Sequence, residues 1–318
     1  MLNRATERYW LITGAGGYIG RHVVSELETK SISLLASDRI PKKFIRGLSE
    51  SVPFYQVDLT EQIEVENIFK DKNIEGVIHL AALKSVENSE KDPQLYRNVN
   101  VIGTLNLLKA MQKYEVKKFI FTSSAAVYGE TKSGFATETD ICNPSSNYGK
   151  NKLEIEEVLQ KEYTSKMNHV SLRLFNVGGA KNELLKDKSQ DNLIPIIVRK
   201  LQNNEVIKIF GNDYQTLDGT PCRDFIPVAD VARAFRLAIE YLSTESVPVT
   251  LNIGSGSETS VLQVVNLLSK QLRTNVEIQF CERRKGDIGK LIANTQLASK
   301  TISFSAQIPI EEILSSIR

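Results

Sequence analysis

The most constraining stretch of this chain is short: Trp10-Leu11-Ile12-Thr13, followed by Gly14-Ala15-Gly16-Gly17-Tyr18-Ile19-Gly20. An apolar run ends in spaced glycines, and Val23, Val24 and Leu27 then fall on one helical face. The pattern predicts a strand, a tight turn and a helix. The spacing Gly-x-x-Gly-x-x-Gly gives each glycine a task. The first permits the turn, the next lets the backbone approach a pyrophosphate, and the last lets the helix pack on the strand. The helix N-terminus adds unpaired N–H groups and a partial positive charge, which suit a phosphate. Gly14, Gly17, Tyr18, Ile19 and Gly20 are therefore a candidate dinucleotide cradle. Taken alone, the same residues could be a turn and nothing more. Asp38 narrows the choice: it ends the second apolar run, near the roughly 20-residue interval at which an acid grips ribose hydroxyls. A carboxylate there repels a 2′-phosphate and favours NAD over NADP, with Arg39 beside it as the counter-signal.

Strand-like and helical segments go on alternating. Strands are predicted at 32–36, 52–57, 76–80, 118–123 and 170–175, and helices at 20–30, 63–69, 96–114 and 147–163. Short strands separated by helices indicate βαβ units, hence an α/β fold with a doubly wound parallel sheet of Rossmann type. Ligands of such sheets sit at the carboxyl ends of the strands. The tips at Gly14, Asp38, Asp58, Ala81, Ser123 and Asn176 are the places to search. Asp58-Leu59 fits an adenine contact or, equally, the start of the helix after it. His79, in an apolar strand, reads as a core histidine. After Asn176 the alternation loosens into a polar loop at 181–192, turns at 211–220 and helices at 195–202, 228–242, 261–272 and 309–317. The expected division is residues 1–175 as a NAD-binding Rossmann domain and 176–318 as a smaller α/β substrate domain.

Composition limits the partners. The chain has 318 residues with 40 Lys+Arg against 38 Asp+Glu, a net charge of +2. It has too much apolar surface for disorder and no basic run for nucleic acid. No apolar stretch approaches the ~20 residues of a membrane span, and the polar first seven residues do not read as a signal peptide. Cys142, Cys222 and Cys281 are far apart and form no metal or disulfide pattern, which points to a reducing cytoplasm.

Tyr148 and Lys152 lie four apart in a predicted helix and so share a face. A phenol with a pKa near ~10 is a poor base at neutral pH; a cation one turn away favours the phenolate. Ser124, which follows a predicted strand and precedes Tyr148 by 24 residues, can bond the same substrate oxygen. In order, and downstream of a dinucleotide turn, Ser124, Tyr148 and Lys152 are the candidate catalytic set for proton removal coupled to hydride transfer, with Lys152 also holding the nicotinamide ribose and no metal required.

These motifs resemble the extended short-chain dehydrogenase/reductases, and within them the nucleotide-sugar 4-epimerases. The likeness runs from Trp10 to Ala298. It rests also on 80–86 (Leu-Ala-Ala-Leu-Lys-Ser-Val), Arg173-Leu174-Phe175-Asn176, 210–214 (Phe-Gly-Asn-Asp-Tyr), Asp218-Gly219-Thr220, Arg223-Asp224-Phe225-Ile226 and 283–287 (Arg-Arg-Lys-Gly-Asp). The resemblance implies tightly bound, recycled NAD, with Asp58, Leu59, Lys84, Asn100 and Phe175 among its contacts. It also implies a UDP-sugar held by Ser124, Asn176, Asn192, Leu193, Arg223, Arg284 and Asp287, and a homodimer pairing through the helices at 96–114 and 147–163. Two guanidinium groups suit a diphosphate. The implied reaction interconverts UDP-glucose and UDP-galactose through a 4-keto sugar. Ala125-Ala126 stand where sugar dehydratases of the family carry an Asp-Glu pair, which argues against dehydration. Other UDP-sugars (xylose/arabinose, glucuronate, N-acetylhexosamine), a reductase exchanging NAD(P)H with solution, and a non-catalytic NAD sensor are the competing readings. Leu174 and Phe225 replace a family aromatic and a Tyr, and Leu291, bulky at the position that gates N-acetylated sugars, implies a preference for unsubstituted hexoses.

Overall fold

A computed structural model describes residues 7–187, 189, 192–245, 247–284 and 286–317. The first six residues, positions 188, 190 and 191 of the polar loop, Ser246, Lys285 and Arg318 lie outside the described residues. The first half runs β1 (Tyr9–Thr13), α1 (Tyr18–Glu28), β2 (Leu34–Asp38), β3 (Phe54–Gln56), α2 (Gln62–Asp71), β4 (Ile74–His79), α3 (Val86–Lys91), α4 (Pro93–Arg97), α5 (Gly103–Lys113), β5 (Lys118–Ser124), β6 (Phe135–Ala136), α6 (Asn147–Val158) and β7 (Asn168–Leu174). The second half adds β8 (Asn176–Gly178), α7 (Leu193–Gln202), β9 (Ile207–Phe210), β10 (Cys222–Arg223), β11 (Phe225–Pro227), α8 (Val228–Thr244), β12 (Val249–Ile253), β13 (Thr259–Ser260), α9 (Val261–Leu272), β14 (Ile278–Cys281), β15 (Lys290–Ala293), α10 (Gln296–Ile302) and α11 (Ile310–Ser315).

Seven strands form the main sheet in the order β12-β7-β5-β4-β1-β2-β3, all pairings parallel. Its strands are apolar along their length because both faces are covered. Trp10, Ile12 and Ile120 pack with α1 and α8 on one side; Leu11, Val77 and Phe119 pack with α2, α5 and α6 on the other. The chain reverses its winding direction between β1 and β4, the place where such sheets open a crevice at their carboxyl edge.

Two helices differ from their sequence reading. The segment 96–114 is composite: α4 passes through a π-type turn at Asn98–Ile102 before α5. Asn100 in that turn spends its amide on the backbone of Leu83, accepting from its N–H at 2.8 Å and donating to its carbonyl at 2.9 Å. The helix at 147–163 likewise ends as α6 at Val158 and continues as a π-type turn. Leu108 and Met111 of α5 are fully buried in the core on that helix's face of the sheet.

The division at 175/176 needs correction. β12 forms the seventh strand, in register with β7, and α8 and α10 join the core over α1. The Rossmann unit is thus discontinuous in sequence. What remains is a smaller lobe: α7, α9 and α11 around β9 and β14, and a four-stranded sheet β13-β10-β15-β6. A short apolar run such as Val249–Ile253 says that it is a strand and not which sheet it joins, so the return was invisible in the pattern. A fragment ending at residue 175 would leave β7 an open edge and strip Val23, Val24 and Leu27 of the buried Phe235 and Ala238. At roughly 2 kcal/mol for each large side chain exposed, it is expected to show no cooperative unfolding transition in urea; a sharp two-state transition would refute this.

Candidate active site

The first glycine turn is fixed by a close approach. Gly14 has φ +70°, and a Cβ on it would lie 2.6 Å from the Ala81 backbone nitrogen at the tip of β4. At Gly20 a Cβ would lie 2.3 Å from the Gly14 carbonyl oxygen, so α1 can start against the turn only with glycine there. The N-cap of α1, Gly17, offers no side chain, leaving the first-turn N–H groups open to a ligand. Asp38, at the tip of β2, accepts from Gly16 N–H at 2.9 Å and from Ile40 N–H at 3.0 Å. It lines a cavity of about 260 Å³ with Asp58, Leu59 and Ala82. Asp58 holds a local turn through Thr60, while the N-cap of α2 is Glu61. A glycine cradle that side chains would fill, a free helix N-terminus and an acid at the next strand tip together match a nicotinamide adenine dinucleotide.

A larger cavity of about 580 Å³ adjoins it, sharing Gly14, Gly17, Leu80 and Ala82. Tyr18, Ile19, Gly20, Lys84 and Phe175 face it, as do Ser124, Tyr148 and Lys152. Asn176, Asn192, Leu193, Arg223 and Asp287 line its other end. Leu174, Leu291 and Ala125-Ala126 form walls between. Two expected residues line neither cavity. Asn100 is buried and engaged with Leu83, so it shapes the loop after β4. Arg284 lies over the Phe210 ring, its guanidinium carbon 3.7 Å from the centroid.

α6 carries Tyr148 and Lys152 toward β5. Ser146 caps its first turn, accepting from Gly149 N–H at 3.1 Å, and Ser89 accepts from Tyr148 N–H at 3.2 Å. Burial pushes the Tyr148 phenol above its ordinary value, opposed by a hydrogen bond with Ser124 and assisted by Tyr96. The cation was expected to dominate here; the geometry explains why it does not. Lys152 donates to the Thr122 carbonyl at 2.7 Å, its ammonium 4.9 Å from the Phe121 ring centroid and 5.9 Å from that of Tyr148. Burial pushes Lys152 itself down from 10.5 to about 8, with Glu156 pulling the other way. His79 pairs with Thr13 and Thr104 and is held neutral by burial, its pKa lowered to about 3: a core residue, as its surroundings in the sequence indicate.

Sequence reasoning missed three residues that organise the site. Asp187, in the polar loop, bonds Asn192 at 2.5 Å and lies 4.0 Å from Lys84. Asp224 is fully buried and accepts from the backbone N–H groups of Ser255, Gly256 and Ala293, fixing the strand tips around Arg223 and Leu291. Glu156 pairs with Arg173. The signal available for Glu156 was its spacing, four residues after Lys152 on the same helical face.

A parallel sheet with a glycine turn at its reversal point and a Ser-Tyr-Lys group facing the adjoining crevice is the frame of a short-chain dehydrogenase/reductase-type, nicotinamide-binding protein. The chain belongs to the NAD dependent epimerase/dehydratase family, whose model matches residues 10–254. It is 35% identical to the UDP-glucose 4-epimerase of Schizosaccharomyces pombe, over 95% of this chain and 91% of that protein. Among solved structures it is similar to a UDP-glucose 4-epimerase from Stenotrophomonas maltophila with bound NAD and formylated UDP-arabinopyranose (TM-score 0.91, 31% identity, 98% and 96% coverage). It is also similar to the Bifidobacterium longum enzyme in complex with NAD+ and UDP (TM-score 0.89, 32% identity, 97% and 96% coverage).

The depressed Lys152 pKa has a consequence for stability. An unfolded lysine holds its proton up to about 10.5 and the folded one only to about 8. Between these values the unfolded chain binds more protons, so folding stability rises with pH. Relative to Lys152→Met, the melting temperature of the ligand-free protein should climb from pH 8 to pH 10. Parallel curves would show that Lys152 keeps an ordinary pKa.

Proposed function

We propose that this chain is a NAD-dependent 4-epimerase of a UDP-sugar, interconverting UDP-glucose and UDP-galactose through a 4-keto intermediate. The observation that carries the reading is convergence: Ser124, Tyr148 and Lys152 face the same cavity as Asn176, Asn192, Leu193, Arg223 and Asp287, beside the glycine turn. Bound NAD supplies the two-electron acceptor that each turnover restores. Tyr148 takes the proton of the C4 hydroxyl and returns it after the sugar has turned over in the pocket. Ser124, hydrogen-bonded to Tyr148, steadies the C4 oxygen. Burial favours the neutral phenol in the ligand-free protein, so Tyr148 must lose its proton before the first step; the Lys152 charge is the chain's own means of favouring that phenolate, and the proton it takes from C4 makes it the acid of the return step.

At the far end, Arg223 is half-buried and its pKa is lowered by burial, with Asp287 opposing. A partly desolvated guanidinium with an acid beside it suits a diphosphate better than an exposed one. Arg284 would leave the Phe210 face to contribute. The lobe built around α7 and α9 is read as the nucleotide-sugar unit. No described helix is long and apolar enough to cross a membrane, and three free cysteines fit the cytoplasm. A homodimer is the proposed assembly: Leu95, Leu105 and Val158 leave apolar surface on α4, α5 and the end of α6 beside the Arg97–Glu154 ion pair.

With no NAD added, the purified protein should turn over UDP-galactose, and Tyr148→Phe should lower kcat by roughly 10²- to 10⁴-fold while retaining NAD. Wild-type-like turnover by this variant would remove the acid–base assignment. Leu291 is nearly buried in the cavity wall, in one apolar cluster with Phe175 and Ala293. Its isobutyl group narrows the cavity wall where the family resemblance puts the C2 substituent, so wild type should prefer unsubstituted hexoses. Leu291→Ala, which removes three carbons, should raise the kcat/KM ratio for UDP-N-acetylglucosamine over UDP-glucose at least tenfold, since even one methylene in a pocket is worth roughly that much; an unchanged ratio would place the barrier elsewhere.

A further inference from the structure

One buried acid on the catalytic helix has no part in the steps above. Glu156 continues the stripe Tyr148–Lys152–Glu156 at intervals of four, so all three lie on the face of α6 that meets the sheet. It is 8% exposed. Its carboxylate accepts from Ser123 Oγ at 2.5 Å, from Arg173 Nε at 3.0 and 3.2 Å, and from Arg173 Nη2 at 2.6 Å. The partners are informative by position: Ser123 directly precedes Ser124 at the tip of β5, and Arg173 directly precedes Leu174, Phe175 and Asn176 at the tip of β7. Arg173 also stacks on Tyr128, 4.7 Å from guanidinium carbon to ring centroid, and Tyr128 flanks Phe175 at 6.5 Å.

We propose that Glu156 is a positioning residue for the Tyr148–Lys152 pair: its carboxylate keys α6 to the tips of β5 and β7 and holds a negative charge one helical turn from the Lys152 ammonium. The proposal rests on the reading of Tyr148 and Lys152 as the acid–base pair. A buried carboxylate tied by a forked guanidinium and a hydroxyl has one arrangement, so the helix face beside it cannot slide along the strands. Its charge reaches Lys152 as well. Of the groups packed around that ammonium, His79 on β4 is neutral, Thr122 and Phe121 on β5 are uncharged, and Tyr148 on α6 is a neutral phenol. Glu156 is the acid that draws the Lys152 pKa back upward against burial. Around Glu156 itself stand Ser123 and Arg173, with Cys142 in its field.

The test compares NAD-loaded wild type with Glu156→Gln and Glu156→Asp. Glu156→Gln should lose roughly ten- to a hundredfold in kcat, the scale of a misplaced reacting group. KM for UDP-galactose and the NAD content should stay near wild type. The alkaline limb of its pH–kcat profile should move to lower pH by about one unit, because Lys152 loses its anion. Glu156→Asp should recover most of the kcat and the wild-type limb. A Glu156→Gln enzyme with wild-type kcat and profile would overturn the proposal. So would a variant that loses kcat, KM and NAD together with no movement of the limb, since that is a merely structural effect. Should the orphaned guanidinium keep Glu156→Gln from folding, Glu156→Gln/Arg173→Gln removes both charges; the same loss and the same shift are expected, and a wild-type profile would refute the idea. Failure of the acid–base reading is seen separately, in an active Tyr148→Phe.

Discussion

The contact on which the crevice depends is the one between Gly14 and the tip of β4. With φ +70° and no side chain, Gly14 lets the Ala81 backbone come to where a Cβ would stand 2.6 Å away. β1 and β4 are neighbours at the winding reversal, so their tips leave the sheet in different directions and nothing but this turn separates them. Any substituent at Gly14 would both strain the backbone and push the β4 loop outward. That loop carries Ala82, Leu83 and Lys84, and Asn100 holds it from below through Leu83. The glycine turn therefore fixes more than the phosphate cradle. It fixes the wall that both cavities share.

From that wall the structure proceeds by burying charge only where a partner is built in. An uncompensated buried ion costs several kcal/mol. Glu156 meets Arg173 and Ser123, Asp224 meets three backbone N–H groups and Ser255, and Lys152 meets a carbonyl and two rings. Of these, Glu156 alone has a salt-bridge partner; Lys152 meets only neutral groups, and burial pushes its pKa down to about 8. The group proposed for the chemistry thus faces only neutral partners, whereas the two scaffold carboxylates each sit among several donors. That asymmetry separates site from scaffold without reference to any relative.

Much of this could be read from residue order, for physical reasons that differ by region. The glycine spacing, Asp38 and the Ser124/Tyr148/Lys152 set were legible because each depends on local geometry, on a turn, a strand tip or one helical turn. The first six parallel strands were legible because burial on both faces makes them continuous apolar runs. The return of Val249–Ile253 to the sheet was not, since edge placement depends on α8 covering α1, a contact between residues about 210 apart, as in the Arg236–Glu26 bond. Nor was the Tyr148 pKa: spacing puts a cation one turn away but cannot say that it donates to the Thr122 carbonyl. Asp187 and Asp224 gave no signal, because an acid in a polar loop and an acid after an arginine look like solvated surface until their partners are known.

Charge balance gains meaning from the same logic. A net charge of +2 over 318 residues would be a poor design for holding a long polyanion, yet a dinucleotide and a nucleotide sugar each bring only a diphosphate. One can be met by the bare N-terminus of α1, which uses backbone dipoles and no side-chain charge. In the reading proposed above the other faces Arg223, whose burial strengthens each hydrogen bond it makes and whose neighbour Asp287 offsets its charge. An exposed basic patch would attract any anion. A half-buried arginine balanced by an acid rewards only a ligand that fits the walls set by Phe175, Leu193 and Leu291. On that reading, specificity is carried by the shape of the crevice, and charge is held in reserve for the ligand that fills it.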